Sequence, residues 1–183
     1  MAQKQIINAS GVDPNKILPM KYQWARKYYK TGVANNWVPE EVSMQQDVEM
    51  WKAVGEKGIT DDERHMIMYN LGFFSTAESL TANNIVLAIY KHITNPECRQ
   101  YLLRQAYEEA IHTDTFIYSC DTLGLNPDEV YNMYQTIPSI KEKDDFVLGF
   151  TKSVLDDTFK TDSTENIQRF VHDLVGFYVI MEG

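Results

Sequence analysis

The segment YEEAIHTDTF sets Glu109, His112 and Phe116 at spacings of three and four residues, so on a helix all three project from one face. That face is otherwise apolar: Leu102, Ala106, Phe116, Cys120 and Leu123 share it with Glu109, His112 and Thr113. A second long run has the same anomaly, with Glu78 in the middle of Ile67, Leu71, Phe74, Ala82, Ile85 and Ile89. A third stripe, Val171, Leu174 with Val175, and Tyr178, leads to Glu182. A buried carboxylate alone costs several kcal/mol unless it protonates or finds a partner. Three carboxylates and an imidazole aimed into interiors repel one another unless cations lie between them. Glu-x-x-His on one helix with single glutamates on others is the ligand chemistry of dinuclear metal sites in helical bundles, which take two single glutamates and two Glu-x-x-His pairs. This chain supplies Glu78, Glu109 with His112, and Glu182, three of the four contributions.

Each of these residues also has a plain structural explanation. A glutamate on a helix stripe is commonly a boundary residue whose carboxylate reaches water, and a single Glu-x-x-His arises by chance. The remaining histidines are His65, His92 and His172, and only His65 has an acid three residues earlier. That acid, Asp62, belongs to the first turn of a helix, where negative charge complements the exposed N–H groups. A second Glu-x-x-His is therefore missing. On these residues alone, a dimetal bundle and a helical domain with exposed acids both stay open.

The elements that would position the ligands follow from capping signals. Residues 1–20 are polar and punctuated by Gly11, Pro14 and Pro19, which predicts a flexible N-terminal arm, with one helical domain over 21–183. KYQWARKYYKTG predicts a short helix closed by Gly32, and ANNWVPEEV a turn. Thr60 caps a long helix that reaches Tyr90 or beyond. Asn95 with Pro96 opens a second, running to about Leu123, and Gly124, Asn126 and Pro127 repeat the device. Pro138 breaks a shorter helix, another runs from about Lys141 to Thr158, and Asp162 with Glu165 opens the last. No strand alternation persists, so the fold class is all-α. The 183 residues make one domain, and the net charge of −9 argues against nucleic acid or an anionic membrane as main partner. No apolar run is long enough to span a bilayer, and Cys98 and Cys120 form neither a metal spacing nor a disulfide framework. The expected location is the cytoplasm.

The segments ANNWVPEEV, LGFFSTAESLTANNIVLAIYKHI, LLRQAYEEAIHTDTFIYSCDTLGL and YQTIPSIKEKDDF resemble the radical-generating small subunit of class I ribonucleotide reductase, from about Lys21 to the last residue. Glu78 and Glu109 are 31 residues apart, as in that family. The resemblance implies a ferritin-like bundle in which Glu78 is the first carboxylate ligand, Glu109 bridges two metals, His112 completes the first metal site, and Glu182 is the first carboxylate of the second. Trp37 matches the tryptophan that relays an electron towards the large catalytic subunit; it is also a plausible aromatic anchor. Most of the family has a radical-storing tyrosine seven residues after the bridging glutamate, and here that position is Phe116. Tyr118 faces away from the metals, Asp114 is a surface acid, and Tyr178 is an alternative radical site. Phe116 resembles the subgroup that uses a manganese–iron pair, with two iron ions as the alternative cofactor.

Full-length members of that family are about twice this length, so the resemblance implies that the C-terminal helices, with the second Glu-x-x-His, lie elsewhere. Either the chain is a truncation, inactive alone, or the protein is split and a second polypeptide supplies the C-terminal half. The break beside a ligand favours a split protein. With that half present, the expected activity is assembly of an O2-activated cofactor that generates a thiyl radical in the large subunit for deoxyribonucleotide synthesis. The assembled small subunit is expected to be a homodimer. The rivals are a ferritin-like oxidase acting on a bound fatty-acid-like ligand, and a non-catalytic metal-handling bundle. Neither needs Trp37 as a relay.

Overall fold

The computed structural model describes residues 5–8 and 16–181. Glu182, the ligand expected at the end of the third stripe, lies outside the described residues. Among the described residues eight α-helices follow one another: α1 (Gln23–Ala34), α2 (Gln45–Lys52), α3 (Asp61–Asn83), α4 (Pro96–Leu123), α5 (Pro127–Tyr131), α6 (Met133–Thr136), α7 (Pro138–Leu155) and α8 (Thr164–Val175). α3 continues into a π-helical turn, Asn84–Ile89, and α8 into another, Gly176–Met181. The class is all-α, with one isolated bridge, Ile7 to Ile93, among the described residues. No helix of the described residues is long and apolar enough to cross a membrane.

Local chemistry sets most of the boundaries. At the start of α3, Thr60 Oγ1 accepts from Glu63 N–H and the Glu63 carboxylate accepts from Thr60 N–H at 2.8 Å, a complete capping box. Asn95 accepts from Cys98 N–H at 2.9 Å ahead of Pro96, and Gly124 ends α4 with φ +68°. Three details depart from the expected pattern. Gly32 does not close α1 but lies inside it, where a Cβ would meet Arg104 Cγ at 3.1 Å. Pro138 opens α7 as its first residue, where a missing N–H costs nothing. Ser163 rather than Asp162 caps α8, accepting from Asn166 N–H at 3.1 Å.

The chain divides into two compact units. The first comprises Met1–Asn36, Thr81–Glu108 and Asp145–Gly183. Its core joins Ala25, Ile85, Ala88, Ile89, Ile93, Leu102, Val154, Phe170 and Phe177. Phe170 and Phe177 are fully buried, each contributing about 1.5–3 kcal/mol of transfer free energy. Within the arm at 1–20, Ile6 and Ile7 pack against this core, and the Ile6 carbonyl accepts from Thr94 N–H at 2.9 Å. The buried face of α8 and its π turn runs through Phe170, Asp173, Leu174 and Phe177, not through Val171 and Val175, which are exposed. Asp173 is held there by the Ser153 hydroxyl at 2.6 Å, so a polar residue occupies the inner face.

The second unit, Trp37–Leu80 and Glu109–Asp144, is built on Leu71, Cys120, Leu123 and Val130, with Met44, Val48, Trp51, Ile67, Met68 and Phe116 packed around them. Arg64 lies over the Trp51 ring at 4.1 Å and donates to the Trp51 carbonyl at 2.8 Å. Gly72 lets α3 approach α6: a Cβ there would fall 2.8 Å from Met133 Cβ. Alanine at 72 would gain about 1 kcal/mol of helix propensity but incur an overpacking cost of about 1–3 kcal/mol. Gly72→Ala is therefore expected to lower the urea midpoint, by about 1 kcal/mol in net stability. If the variant is as stable as the parent or more so, the contact is not tight.

Candidate metal centre

The ligand candidates of the second unit come from two helices. Glu78 occupies the last part of α3 and Glu109 with His112 the middle of α4. His112 Nδ1 lies 2.9 Å from Glu109 Oε2 and 3.3 Å from Glu78 Oε2. One ligand atom from each of the three falls within 4.8 Å of the others. Glu109 is 4% exposed, whereas the His112 side chain is 36% exposed, so the cluster is buried on the carboxylate side and open on the imidazole side.

The electrostatics follow from that geometry. Hydrogen bonds to Glu109 and then Glu78 hold the His112 proton, pushing its pKa up to about 10 against the opposing effect of burial. Burial raises the Glu109 carboxyl above its ordinary value, the neighbouring Glu78 adding to the rise and His112 opposing it. Burial acts on Glu78 in the same direction, but hydrogen bonds from His112 and Glu109 outweigh it and leave that carboxyl below its ordinary value. Two adjacent carboxyl groups pushed apart in this way are the signature of like charges sharing one site.

Two carboxylates and an imidazole fit a metal ion. Their oxygen and nitrogen donors suit iron or manganese, and the proton held on His112 occupies the position where a cation would meet the same three groups. Metal binding would displace that proton.

The Trp37 ring lies 6.2 Å from the His112 imidazole, tilted by 36°, just ahead of the turn Pro39–Glu41. Phe116, one helical turn beyond His112, stacks on Phe74 at 5.9 Å with the rings nearly parallel. This stack makes an apolar flank without a phenol. Tyr118 donates its hydroxyl to the Val42 carbonyl at 3.2 Å, and Asp114 is exposed. His65 stacks on Tyr69 at 4.0 Å, and Asp62 is exposed in the first turn of α3. In the first unit, Tyr178 donates to Gln105 Oε1 at 2.9 Å. The contact of His112 with Glu78, on a different helix, had no local sequence signal, because it depends on how α3 and α4 pack.

Known proteins resemble this chain over most of its length. The family described as "Ribonucleotide reductase, small chain" matches residues 14–183. The ribonucleoside-diphosphate reductase subunit beta of Chlamydia pneumoniae is 54% identical over 183 residues, which are 100% of this chain and 52% of that protein. The small subunit from Dictyostelium discoideum is 30% identical over 135 residues, 72% of this chain and 39% of the relative. Among solved structures, the ribonucleotide reductase R2 subunit from Clostridium botulinum superposes with a TM-score of 0.83 at 26% identity, covering 98% of this chain and 53% of that one. The chain thus spans about half the length of the Chlamydia relative. Taken with the carboxylate–imidazole cluster on two helices of an all-α fold, these matches show that the chain belongs to the ribonucleotide reductase small-chain family.

Proposed function

We propose that the chain is the N-terminal part of the small subunit of a cytoplasmic ribonucleoside-diphosphate reductase, holding ligands of a manganese–iron centre and relaying an electron through Trp37. The observation that carries this reading is the convergence of Glu78, Glu109 and His112 with the Trp37 ring 6.2 Å from the imidazole. When bound and activated by dioxygen, the manganese–iron pair (two iron ions being the alternative) supplies the oxidising equivalent that ends as a thiyl radical in the large subunit and begins deoxyribonucleotide synthesis.

The chain's own residues do the remaining work. Glu109, buried and close to both other groups, would be shared by the two cations, and Glu78 and His112 would complete the set for the first. Glu182 is assigned to the second. Phe116 keeps the flank apolar and free of an oxidisable O–H, which favours a centre that itself stores the oxidising equivalent. Trp37 offers an aromatic stepping stone beside a ligand ring. In this reading a C-terminal half, as a separate polypeptide or as further residues of the same one, supplies the other ligands, and the assembled subunit pairs as a homodimer.

Native mass spectrometry of the protein isolated from its source, with metals retained, tests the assignment. The expected result is a complex carrying two metal ions for each copy of this chain, together with the C-terminal half. A lone chain without metal would overturn it.

A further inference from the structure

The first helix carries a charge pattern opposite to that of the rest of the chain. Between Pro14 and Pro39 lie five of the 17 lysines and arginines and none of the 26 acids. Arg26, Lys27 and Lys30 are exposed on one side of α1, at the three- and four-residue steps that make neighbours on a helix. Among the described residues no ion pair or hydrogen bond reaches any of the three. With Leu18, Pro19 and Met20 they line an open groove of about 590 Å³, and Leu18 is 67% exposed.

This arrangement leaves two costs unrelieved. Like charges three and four residues apart oppose one another on the helix, and an apolar side chain stands in water beside them. An occupant that brings negative charge and one apolar group relieves both. A long polyanion would be repelled by the acidic remainder of a chain of net charge −9. A short acidic segment needs to meet only the groove. From Gln23 to Lys30 α1 rises about 10 Å, which about three to four extended residues span.

We propose that this groove docks an acidic peptide segment of a partner protein. Its carboxylates pair with Arg26, Lys27 and Lys30, and one apolar side chain rests on Leu18, Pro19 and Met20. None of the residues lining the groove is a candidate metal ligand.

The test is fluorescence anisotropy of a fluorescein-labelled peptide of glutamates around a single leucine, titrated with the full chain at two salt concentrations. Combined Arg26→Glu, Lys27→Glu and Lys30→Glu reversal is expected to weaken binding at least about tenfold, since it turns three attractions into repulsions. Leu18→Ser, and serine for leucine in the peptide, should each weaken it by about threefold, and added salt should weaken it further. The triple glutamine variant should fall between parent and reversal, with helix content by circular dichroism unchanged in all. Equal binding by the reversal variant would overturn the proposal. So would indifference to the leucine, which would mean bare charge attraction, or tighter binding of an oligothymidylate of the same length, which would mean a nucleic-acid site.

Discussion

Replacing Trp37 with Phe is expected, on the proposed reading, to abolish nucleotide reduction by the assembled enzyme while leaving metal content and metal oxidation unchanged. The indole lies 6.2 Å from the ring of His112, so it adjoins a candidate ligand without being one. Phenylalanine keeps an aromatic filler in a half-buried position, and the stability cost should stay within about 1 kcal/mol. What is lost is the readily oxidised indole. A fall of at least about 100-fold is expected, equivalent to a rise of about 2.7 kcal/mol in the barrier to electron transfer. Turnover in the reconstituted reductase, measured beside metal content and the spectrum of the oxidised centre, separates the two roles. Persistent turnover would reduce Trp37 to a packing residue, and loss of metal would make it a structural support for His112.

The second large effect is expected at Glu109. Changing it to Gln should weaken metal binding by more than the 10- to 100-fold typical of residues that only orient ligands, that is, by more than about 100-fold. The stability of the metal-free protein at pH 7 should fall as well, because Glu109 is the main support of the His112 proton, a loss that relief of the buried carboxylate offsets only in part. A purely structural ion pair would lower the urea midpoint and leave metal affinity little changed.

The same cluster gives the pH dependence a definite sign. His112 keeps its proton up to a pKa of about 10, so between pH 7 and 9 a metal must displace it, and apparent affinity should rise with pH. Each unit should add up to about tenfold from this proton alone. In the metal-free protein the raised pKa contributes stability that is complete below the unfolded value near 6.5 and is lost as pH rises towards 10. In Glu109→Gln the strongest hydrogen-bond acceptor for that proton is gone, and the slope of affinity against pH should flatten at its upper end. Proton release measured by calorimetry in buffers of different ionisation heat reads this directly; an unchanged slope would mean that Glu109 does not hold the His112 proton.

Much of this was legible in the chain because helical periodicity and capping are local. Glu78, Glu109 and His112 stand out as ionisable groups on apolar stripes. Asn95 with Pro96, Gly124, and Asn126 with Pro127 mark helix ends through the backbone groups they satisfy or the φ they permit. The all-α class and the candidates Glu78, Glu109 and His112 were therefore legible from local pattern. Other features depend on residues distant in sequence, and tertiary packing decided them. Gly32 resembles a helix end, yet it is an interior residue of α1 over which the Arg104 side chain packs. The buried face of α8 includes Asp173 and leaves Val171 and Val175 in water, because a hydroxyl from α7 satisfies the carboxylate. The meeting of His112 with Glu78 on another helix, and of Trp37 with His112, follows only from how α3, α4 and the Pro39 turn pack. The types of the ligands were a property of the sequence. Their common point in space came from the fold, since hydrogen bonds and ring contacts form between neighbours in three dimensions.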